Sequence, residues 1–505
     1  MTPNPFSTSK PFVDNREMED AVASAIAGAR TAQPAWAASP ITERLRVLGK
    51  FRHALAESAR DVAATVPAEL PGSLRRTLPD TLVAEVLPLA EACRFLEREA
   101  VAVLAPRIPG DHLRPFWLRD VATQIHREPL GVILIIGPGN YPLFLPGVQA
   151  LQALAAGNAV LWKPAPGGSE AARAMRLLLI AAGIDPSLLQ ILDESPKAAT
   201  RAIHAGVDKV FLTGSEATGT AVLHDLAETL TPSVMELSGC DAVFILKGAD
   251  IPRAVAALVF GMRLNGSATC MAPRRIFVTK EVSNSLLDSL AVALDSIEPV
   301  AIPASLHDKL LDLMADAEAK GAVFKRNGLT GAQGVPAGSV AIRPTLLTGV
   351  SPAMRITQAD IFAPVLSVIE VANEDEAVVE NACCPYALTA SIFGPEGQAR
   401  RLAAHVPAGN VLINDLIVST ADPRVPFGGR KQSGFGATRG REGLLEMTAI
   451  KTIQIQRARD LRAYQPPTAH HAGFIGGYLR MVHSDRWRDR WSGAREFFSA
   501  MRKLK

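Results

Sequence analysis

Gly131-Val132-Ile133-Leu134-Ile135-Ile136 runs without a polar side chain into Gly137-Pro138-Gly139-Asn140. An unbroken aliphatic run of this length, closed by a small-residue turn, reads as a strand buried on both faces, the signature of a parallel sheet. Similar runs follow at Ala159-Val160-Leu161-Trp162, Leu188-Leu189-Gln190-Ile191-Leu192, Lys209-Val210-Phe211-Leu212 and Val243-Phe244-Ile245-Leu246. Segments of helical character separate them. Short buried strands alternating with helices predict an α/β fold with a binding crevice at the strand ends.

The alternation resumes after residue 250. Helical segments at 251–262, 282–296 and 305–320 surround strand-like Ile276-Phe277-Val278 and Val365-Leu366-Ser367-Val368-Ile369, which predicts a second α/β domain. Upstream, residues 17–104 read as helices: Ala21, Val22, Ala25, Ile26 and Ala29 form one apolar stripe, and Leu45, Leu48, Phe51 and Leu55 another. Residues 113–128 read as a hairpin or extended arm, and Pro466-Pro467 introduces a distinct tail.

The chain has 505 residues, 48% hydrophobic and 20% charged, enough for two or three domains with sizeable cores. A net charge of +3 is too small to imply nucleic-acid binding by the whole chain. Cys93, Cys240, Cys270, Cys383 and Cys384 form no CxxC or paired-histidine pattern, so no metal site is expected, and adjacent Cys383-Cys384 read as packing residues. The cysteine usage fits a reducing compartment. Met1-Thr2-Pro3-Asn4-Pro5-Phe6-Ser7 lacks the form of a secretory signal, and no stretch is uniformly apolar for the ~18 residues of a membrane span. The expected location is the cytoplasm.

Cys270 lies in Asn265-Gly266-Ser267-Ala268-Thr269-Cys270-Met271-Ala272-Pro273-Arg274-Arg275. Glu236 precedes it by 34 residues, in Met235-Glu236-Leu237-Ser238-Gly239-Cys240. A sulfur nucleophile and a carboxylate base, each beside a small-residue turn, suggest covalent thiolate catalysis. Taken alone, Cys270 reads more simply as a buried small hydrophobe, as most free cysteines are. Asn140, just past a buried strand, reads as a helix cap or as a donor to a developing oxyanion. Lys163 ends another strand, where it is either solvated or meets a ribose or phosphate. Gly214 and Ser215, with Gly219 in the following turn, expose backbone N–H groups that suit a pyrophosphate, although the GxGxxG fingerprint is absent.

Taken together, these motifs resemble the aldehyde dehydrogenase superfamily over roughly residues 15 to 455. The match is carried by residues 129–280 and by Val425-Pro426-Phe427-Gly428-Gly429-Arg430-Lys431-Gln432-Ser433-Gly434. The resemblance implies a Rossmann-type parallel-sheet cofactor domain (1–111 and 129–237), an α/β catalytic domain (238–444), a small oligomerisation arm (112–128 and 445–456) and a basic C-terminal extension (457–505). It implies Cys270 as nucleophile, Glu236 as general base and Asn140 as oxyanion amide. NAD or NADP would meet Lys163, Pro166, Gly214, Ser215, Gly219, Asp360 and Phe362, the last two from Asp360-Ile361-Phe362-Ala363-Pro364-Val365. Asn414 matches an asparagine that positions the catalytic centre. Tyr141, Leu145, Val148, Thr269 and Met271 match the aldehyde channel; none is basic, which favours an apolar aldehyde. A homodimer or homotetramer is expected.

Several positions depart from the family pattern. Ser267 and Ala268 replace Gly and Gln before the cysteine, Ser238 and Cys240 replace Gly and Lys after the base, Asp360 replaces Glu, and Ala363 replaces Gly. Pro166 stands where the family often has a glutamate that binds the adenosine-ribose hydroxyls. The expected activity is NAD(P)-dependent oxidation of an aldehyde to an acid through a thiohemiacetal and a thioester. The alternatives are a coenzyme-A-acylating dehydrogenase and a non-catalytic dinucleotide-binding homologue. Residues 457–505 carry eleven Arg and Lys against four Asp and Glu. The preferred reading of this tail is packing on a neighbouring subunit or over the channel mouth, with a membrane-surface helix as the other.

Overall fold

The computed structural model describes residues 15–68, 76–329, 338–459, 464 and 466–503. The parallel α/β architecture expected from the sequence is the one adopted. The decisive run forms the strand Val132–Ile136, every residue of it buried. It lies inside a six-stranded sheet in the order Gly434–Phe435, Ser233–Leu237, Lys209–Gly214, Val132–Ile136, Ala159–Lys163, Leu189–Ile191. All neighbours are parallel except Gly434–Phe435, which closes the edge antiparallel to Ser233–Leu237.

Two members of this sheet are absent from the sequence reading, Ser233–Leu237 and the two-residue edge strand Gly434–Phe435. Ser233–Leu237 is a short strand interrupted by the charge of Glu236, so it lacks the apolar run that marked its neighbours. Its pairing with Lys209–Gly214 supplies the order that composition does not. Gly434 faces Glu236 across the edge at φ +100°, and a Cβ there would lie 2.0 Å from the Met235 carbonyl oxygen. Only glycine lets this backbone approach so closely.

The second sheet has seven strands: Val323–Arg326, Thr345–Thr348, Val365–Val371, Pro273–Thr279, Asp241–Ile245, Thr389–Phe393 and Asn410–Ile413. It is parallel except at Val323–Arg326. The N-terminal helical stripes fall in Asn15–Ala38 and Ile41–Glu57, and Leu45, Leu48, Phe51 and Leu55 are buried in the same core as the first sheet. All five cysteines are free, Cys383 and Cys384 included.

Residues 106–125 and 452–505 form a compact unit of their own. Val121–Pro129 and Thr448–Gln456 pair as a two-stranded sheet. The tail folds as two helices, Ala469–His483 and Trp487–Lys503. In the sequence Gly473, Gly476 and Gly477 read as interruptions of an amphipathic helix. The structure corrects this for Gly477: a Cβ there would lie 2.4 Å from the Phe497 amide nitrogen, and one at Gly493 would lie 2.5 Å from that of Met481. These glycines mark a close crossing of two helices.

Candidate active site

Most of the sequence-predicted residues sit at a strand end or in the loop after it, where parallel sheets place their crevices; Leu145 and Val148 instead lie on the helix Phe144–Ala156, and Gly219, expected in a turn, lies within the helix Glu216–Thr229. Cys270 follows a strained turn. Asn265, Gly266 and Ser267 have φ of 52°, 60° and 65°, three successive left-handed residues. Ser267 is the costly one, because a side chain in this region is disfavoured by roughly 1–2 kcal/mol. Arg274 holds it in place: one guanidinium nitrogen donates to Ser267 Oγ at 2.7 Å and the other to the Ser267 carbonyl at 2.6 Å. That fixation accounts for serine at a position where the family pattern has glycine. Arg274 also donates to the Ala363 carbonyl at 2.9 Å, so one buried cation ties the Cys270 turn to the Asp360–Ala363 loop.

Asn140 does not cap the next helix, which starts at Phe144 with Leu143 in the cap position. Its Nδ2 donates instead to the Ala268 carbonyl at 3.0 Å, two residues before Cys270. A buried ion pair fixes this loop from behind. Arg76 and Glu85 are paired; Arg76 donates to the Asn140 carbonyl and, at 2.8 Å, to Asn265 Oδ1. Glu85 accepts from the Leu143 and Phe144 amides at 3.1 and 2.7 Å. Asn265 Nδ2 returns to the Asn140 carbonyl at 3.0 Å. Neither Arg76 nor Glu85 was singled out in the sequence. They lie 64 and 55 residues from Asn140, and no local motif signals such a pair.

Glu236 is 2% exposed. Its Oε2 receives only weak contacts, at 3.5 Å, from the Thr213 and Thr438 hydroxyls, and Oε1 has no partner. Burial pushes its carboxyl above the usual carboxylate range, opposed by Arg439 and the two hydroxyls. The turn after this strand abuts the cysteine: a Cβ on Gly239 would lie 2.9 Å from the Cys270 carbonyl oxygen. Cys270 itself is partly exposed. Its thiol is raised well above the ordinary value, first by desolvation, then by Glu236, Asp241 and Asp360, while Arg439 pulls it down. Asp241, held by the Thr389 amide and hydroxyl, is itself pushed up to about 7 by burial.

Arg439 is the site cation that sequence reading missed. It is buried, has φ +62°, donates to the Thr420 carbonyl at 2.6 Å and lies 4.5 Å from the centroid of the Phe427 ring. Its Nε has no partner, and it acts electrostatically on both Glu236 and Cys270. These raised values set a pH dependence. A Cys270 thiolate becomes the majority form only above the thiol's own pKa, so a reaction that runs through it should show kcat/KM rising with pH along a limb that levels off above the ordinary cysteine value of about 8.5. Arg439→Met removes the cation that opposes the shift and should move that limb to still higher pH. A limb below the ordinary value, or one unmoved in the variant, would contradict this electrostatic account.

The channel residues are not all in one setting. Tyr141 and Thr269 are buried and share a hydroxyl–hydroxyl hydrogen bond of 2.8 Å. Val148 is buried, whereas Leu145 and Met271 are partly exposed. Asn414 locks a strand end, its amide exchanging two 2.9 Å hydrogen bonds with the Gly394 backbone.

The cofactor residues divide similarly. Lys163 ends its strand and is buried; desolvation lowers its ammonium, opposed by Glu194 and Asp193. Glu194 was not anticipated; its carboxylate accepts from the Gly167 and Ser169 amides at 2.9 and 3.0 Å. Pro166 is exposed, and Phe362 is partly exposed. Gly214 ends its strand, and Ser215 caps the helix Glu216–Thr229 by accepting from the Thr218 amide. Gly219 packs that helix closely on the next strand, since its Cβ would lie 2.8 Å from Leu237 Cδ2. Asp360 Oδ1 is buried without a partner, and desolvation raises the carboxyl against Ser238, Arg274 and Lys309. A buried orphan acceptor suits a sugar hydroxyl, and the helix N-terminus at Ser215 suits a phosphate. The residues present therefore fit a dinucleotide. Among the described residues no cluster of metal ligands occurs.

This fold and this set of strand-end groups define an α/β enzyme. The chain belongs to the aldehyde dehydrogenase family, which it matches over residues 3–453. It is 31% identical to "Putative aldehyde dehydrogenase FUS7" of Gibberella moniliformis, covering 90% of this chain and 95% of that protein. It is 28% identical to the 4,4'-diapolycopene aldehyde oxidase of a Methylomonas species, covering 88% and 82%. Among solved structures it is similar to the NADP-dependent glyceraldehyde-3-phosphate dehydrogenase of Bacillus halodurans in complex with NADP. That match has a TM-score of 0.78 and 27% identity, and covers 87% and 92% of the two chains.

Proposed function

We propose that this protein oxidises an apolar aldehyde to the carboxylic acid with NAD or NADP, using Cys270 as nucleophile and Glu236 as base. The observation that carries the reading is the buried, half-satisfied carboxylate of Glu236 acting electrostatically on the Cys270 thiol. A carboxyl raised toward neutrality by burial is tuned to take and return a proton.

The residues divide the work. Cys270 Sγ attacks the aldehyde carbon, and a thiohemiacetal forms on the enzyme. The Asn140 amide and the Cys270 backbone N–H stabilise the oxyanion, each such donor being worth roughly 3–4 kcal/mol. The Arg76–Glu85 pair holds the Asn140 loop in register for that task. When bound, the nicotinamide supplies the acceptor for the departing hydride. Asp360 would hold its ribose, the Gly214–Ser215 turn its phosphates and Lys163 the adenosine end. Glu236 then takes a proton from water, which opens the Cys270 thioester and releases the acid.

The division into a nucleotide-binding part (1–111 and 129–237), a catalytic part (238–444) and an oligomerisation arm (112–128 and 445–456) belongs to the same proposal. The pairing of Val121–Pro129 with Thr448–Gln456 supports the arm and, with it, a dimer or tetramer. Five free cysteines support a reducing, cytoplasmic setting. The apolar substrate class is supported by the absence of a basic side chain among Tyr141, Leu145, Val148, Thr269 and Met271, and by the 4,4'-diapolycopene aldehyde named for the Methylomonas relative. The test is an aldehyde panel with NAD and NADP, with products analysed with and without coenzyme A. Free acid formed without coenzyme A is expected. An acyl-coenzyme-A product would establish the acylating reaction instead, and no turnover with any aldehyde would leave a binding homologue.

Pro166 sets a further expectation. A carboxylate at this position would accept both adenosine-ribose hydroxyls and repel a 2′-phosphate; proline does neither. Glu194 stands near Lys163, but both of its oxygens are engaged by backbone amides. NADP should therefore be accepted at least comparably to NAD. Pro166→Glu should shift the ratio of kcat/KM toward NAD by about tenfold, the equivalent of ~1.4 kcal/mol. A wild-type enzyme strict for NAD would overturn this account.

A further inference from the structure

The C-terminal helix Trp487–Lys503 has two apolar faces where a packed helix needs one. Gly493, Phe497 and Ala500 are buried, and Gly493 meets the backbone of the preceding helix. A second stripe, Trp487, Trp491, Ala494, Phe498 and Met501, recurs at i, i+4, i+7, i+11 and i+14. Trp487, Trp491 and Phe498 on it are 66%, 63% and 51% exposed. Arg488, Arg495 and Arg502 recur at i, i+7 and i+14 along its border, all exposed, and none is paired with a carboxylate among the described residues. The Arg488 guanidinium lies 5.8 Å from the Trp487 ring centroid. Asp489 and Glu496 fall on the opposite side of the helix, and Glu496 pairs with Arg480. The preceding helix adds its own exposed row, Ile475, Leu479 and Val482 at i, i+4 and i+7.

We propose that this hairpin docks on an anionic phospholipid bilayer, with the tryptophan stripe in the headgroup–acyl boundary and the arginine row against lipid phosphates. Indole rings favour that boundary, and long basic side chains reach up from it to the headgroups. The charge pattern selects this occupant. Two-fold self-pairing of the face would set arginine rows against each other, because its acids point away. No helix among the described residues is long and apolar enough to cross a membrane, so the contact would be interfacial. The inference is independent of the catalytic assignment.

The test is flotation of the full-length protein with vesicles of phosphatidylcholine mixed with phosphatidylglycerol, and with phosphatidylcholine alone, at low and high salt. Binding is expected to the anionic vesicles, with blue-shifted tryptophan emission and weakening by salt. Reversing the row with Arg488→Glu, Arg495→Glu and Arg502→Glu should lower partitioning on the order of a hundredfold or more. Trp487→Ser with Trp491→Ser should lower it about tenfold or more while turnover of a water-soluble aldehyde is unchanged. Absence of binding to the anionic vesicles, or binding that neither variant weakens, would overturn the proposal. A changed oligomeric state by light scattering in the tryptophan variant would overturn it too, since the stripe would then be covered by another copy of the chain.

Discussion

Cys270→Ser should abolish aldehyde oxidation while dinucleotide binding survives. The expected loss in kcat is on the order of 10⁴-fold or more, the scale on which enzymes lose rate when a covalent nucleophile is removed. Serine keeps the shape and a hydrogen-bonding group, so the turn that Arg274 holds through Ser267 should stay folded. It cannot supply the step, because an alkoxide beside Glu236, Asp241 and Asp360 is far harder to form than a thiolate that burial and those carboxylates already disfavour. Tryptophan or cofactor fluorescence would report binding; single-turnover absorbance would report hydride transfer. If the serine variant turned over at more than a small fraction of the wild-type rate, the thiol would have no covalent role.

Much of the fold was legible because the parallel strands are buried on both faces. Val132–Ile136 and Ala159–Lys163 have no solvent side, so apart from the terminal Lys163 their composition is apolar and stands out from any helix pattern. Ser233–Leu237 escaped notice for the converse reason. It carries the Glu236 carboxylate within the strand, and its place in the sheet comes from pairing with Lys209–Gly214. A site residue erased the signal that would have located its own strand. The tail glycines misled in a similar way: local reasoning treats glycine as a break, whereas Gly477 and Gly493 permit a close contact between helices that only the tertiary structure creates.

At the site, Cys270 and Asn140 of the proposed mechanism sit in recognisable small-residue turns, and Glu236 sits in a strand just before one, Ser238-Gly239. The residues that position them carry no such local mark. Arg76, Glu85, Arg274 and Arg439 are ordinary charged residues in sequence and become informative only when burial forces each to find partners. Ser267 shows the two levels together. In sequence it is a departure from the family pattern; in the structure its hydroxyl is what Arg274 grips. Glu194 is the corresponding lesson for cofactor choice, a carboxylate brought toward Lys163 from another strand end.

Glu236→Gln should separate the two halves of the reaction. Glutamine is nearly isosteric, so it fits the same pocket and can keep the weak contacts to the Thr213 and Thr438 hydroxyls. It cannot accept a proton from water. Acylation needs Cys270 and the oxyanion donors, and removing a neighbouring negative charge eases ionisation of the thiol, since Glu236 is among the groups that raise it. Hydride transfer should therefore proceed, with its pH limb moved downward, while deacylation slows by about 10²-fold or more, the usual weight of a positioned general base. Stopped-flow absorbance should show a burst of reduced cofactor approaching one equivalent per active site, then slow turnover. Acid quench and mass spectrometry should find the acyl group on Cys270. A variant with the wild-type steady-state rate would remove Glu236 from the mechanism. A burst relieved by coenzyme A would instead make a thiol the natural acceptor, because the thioester would then be opened by a nucleophile that needs no buried carboxylate.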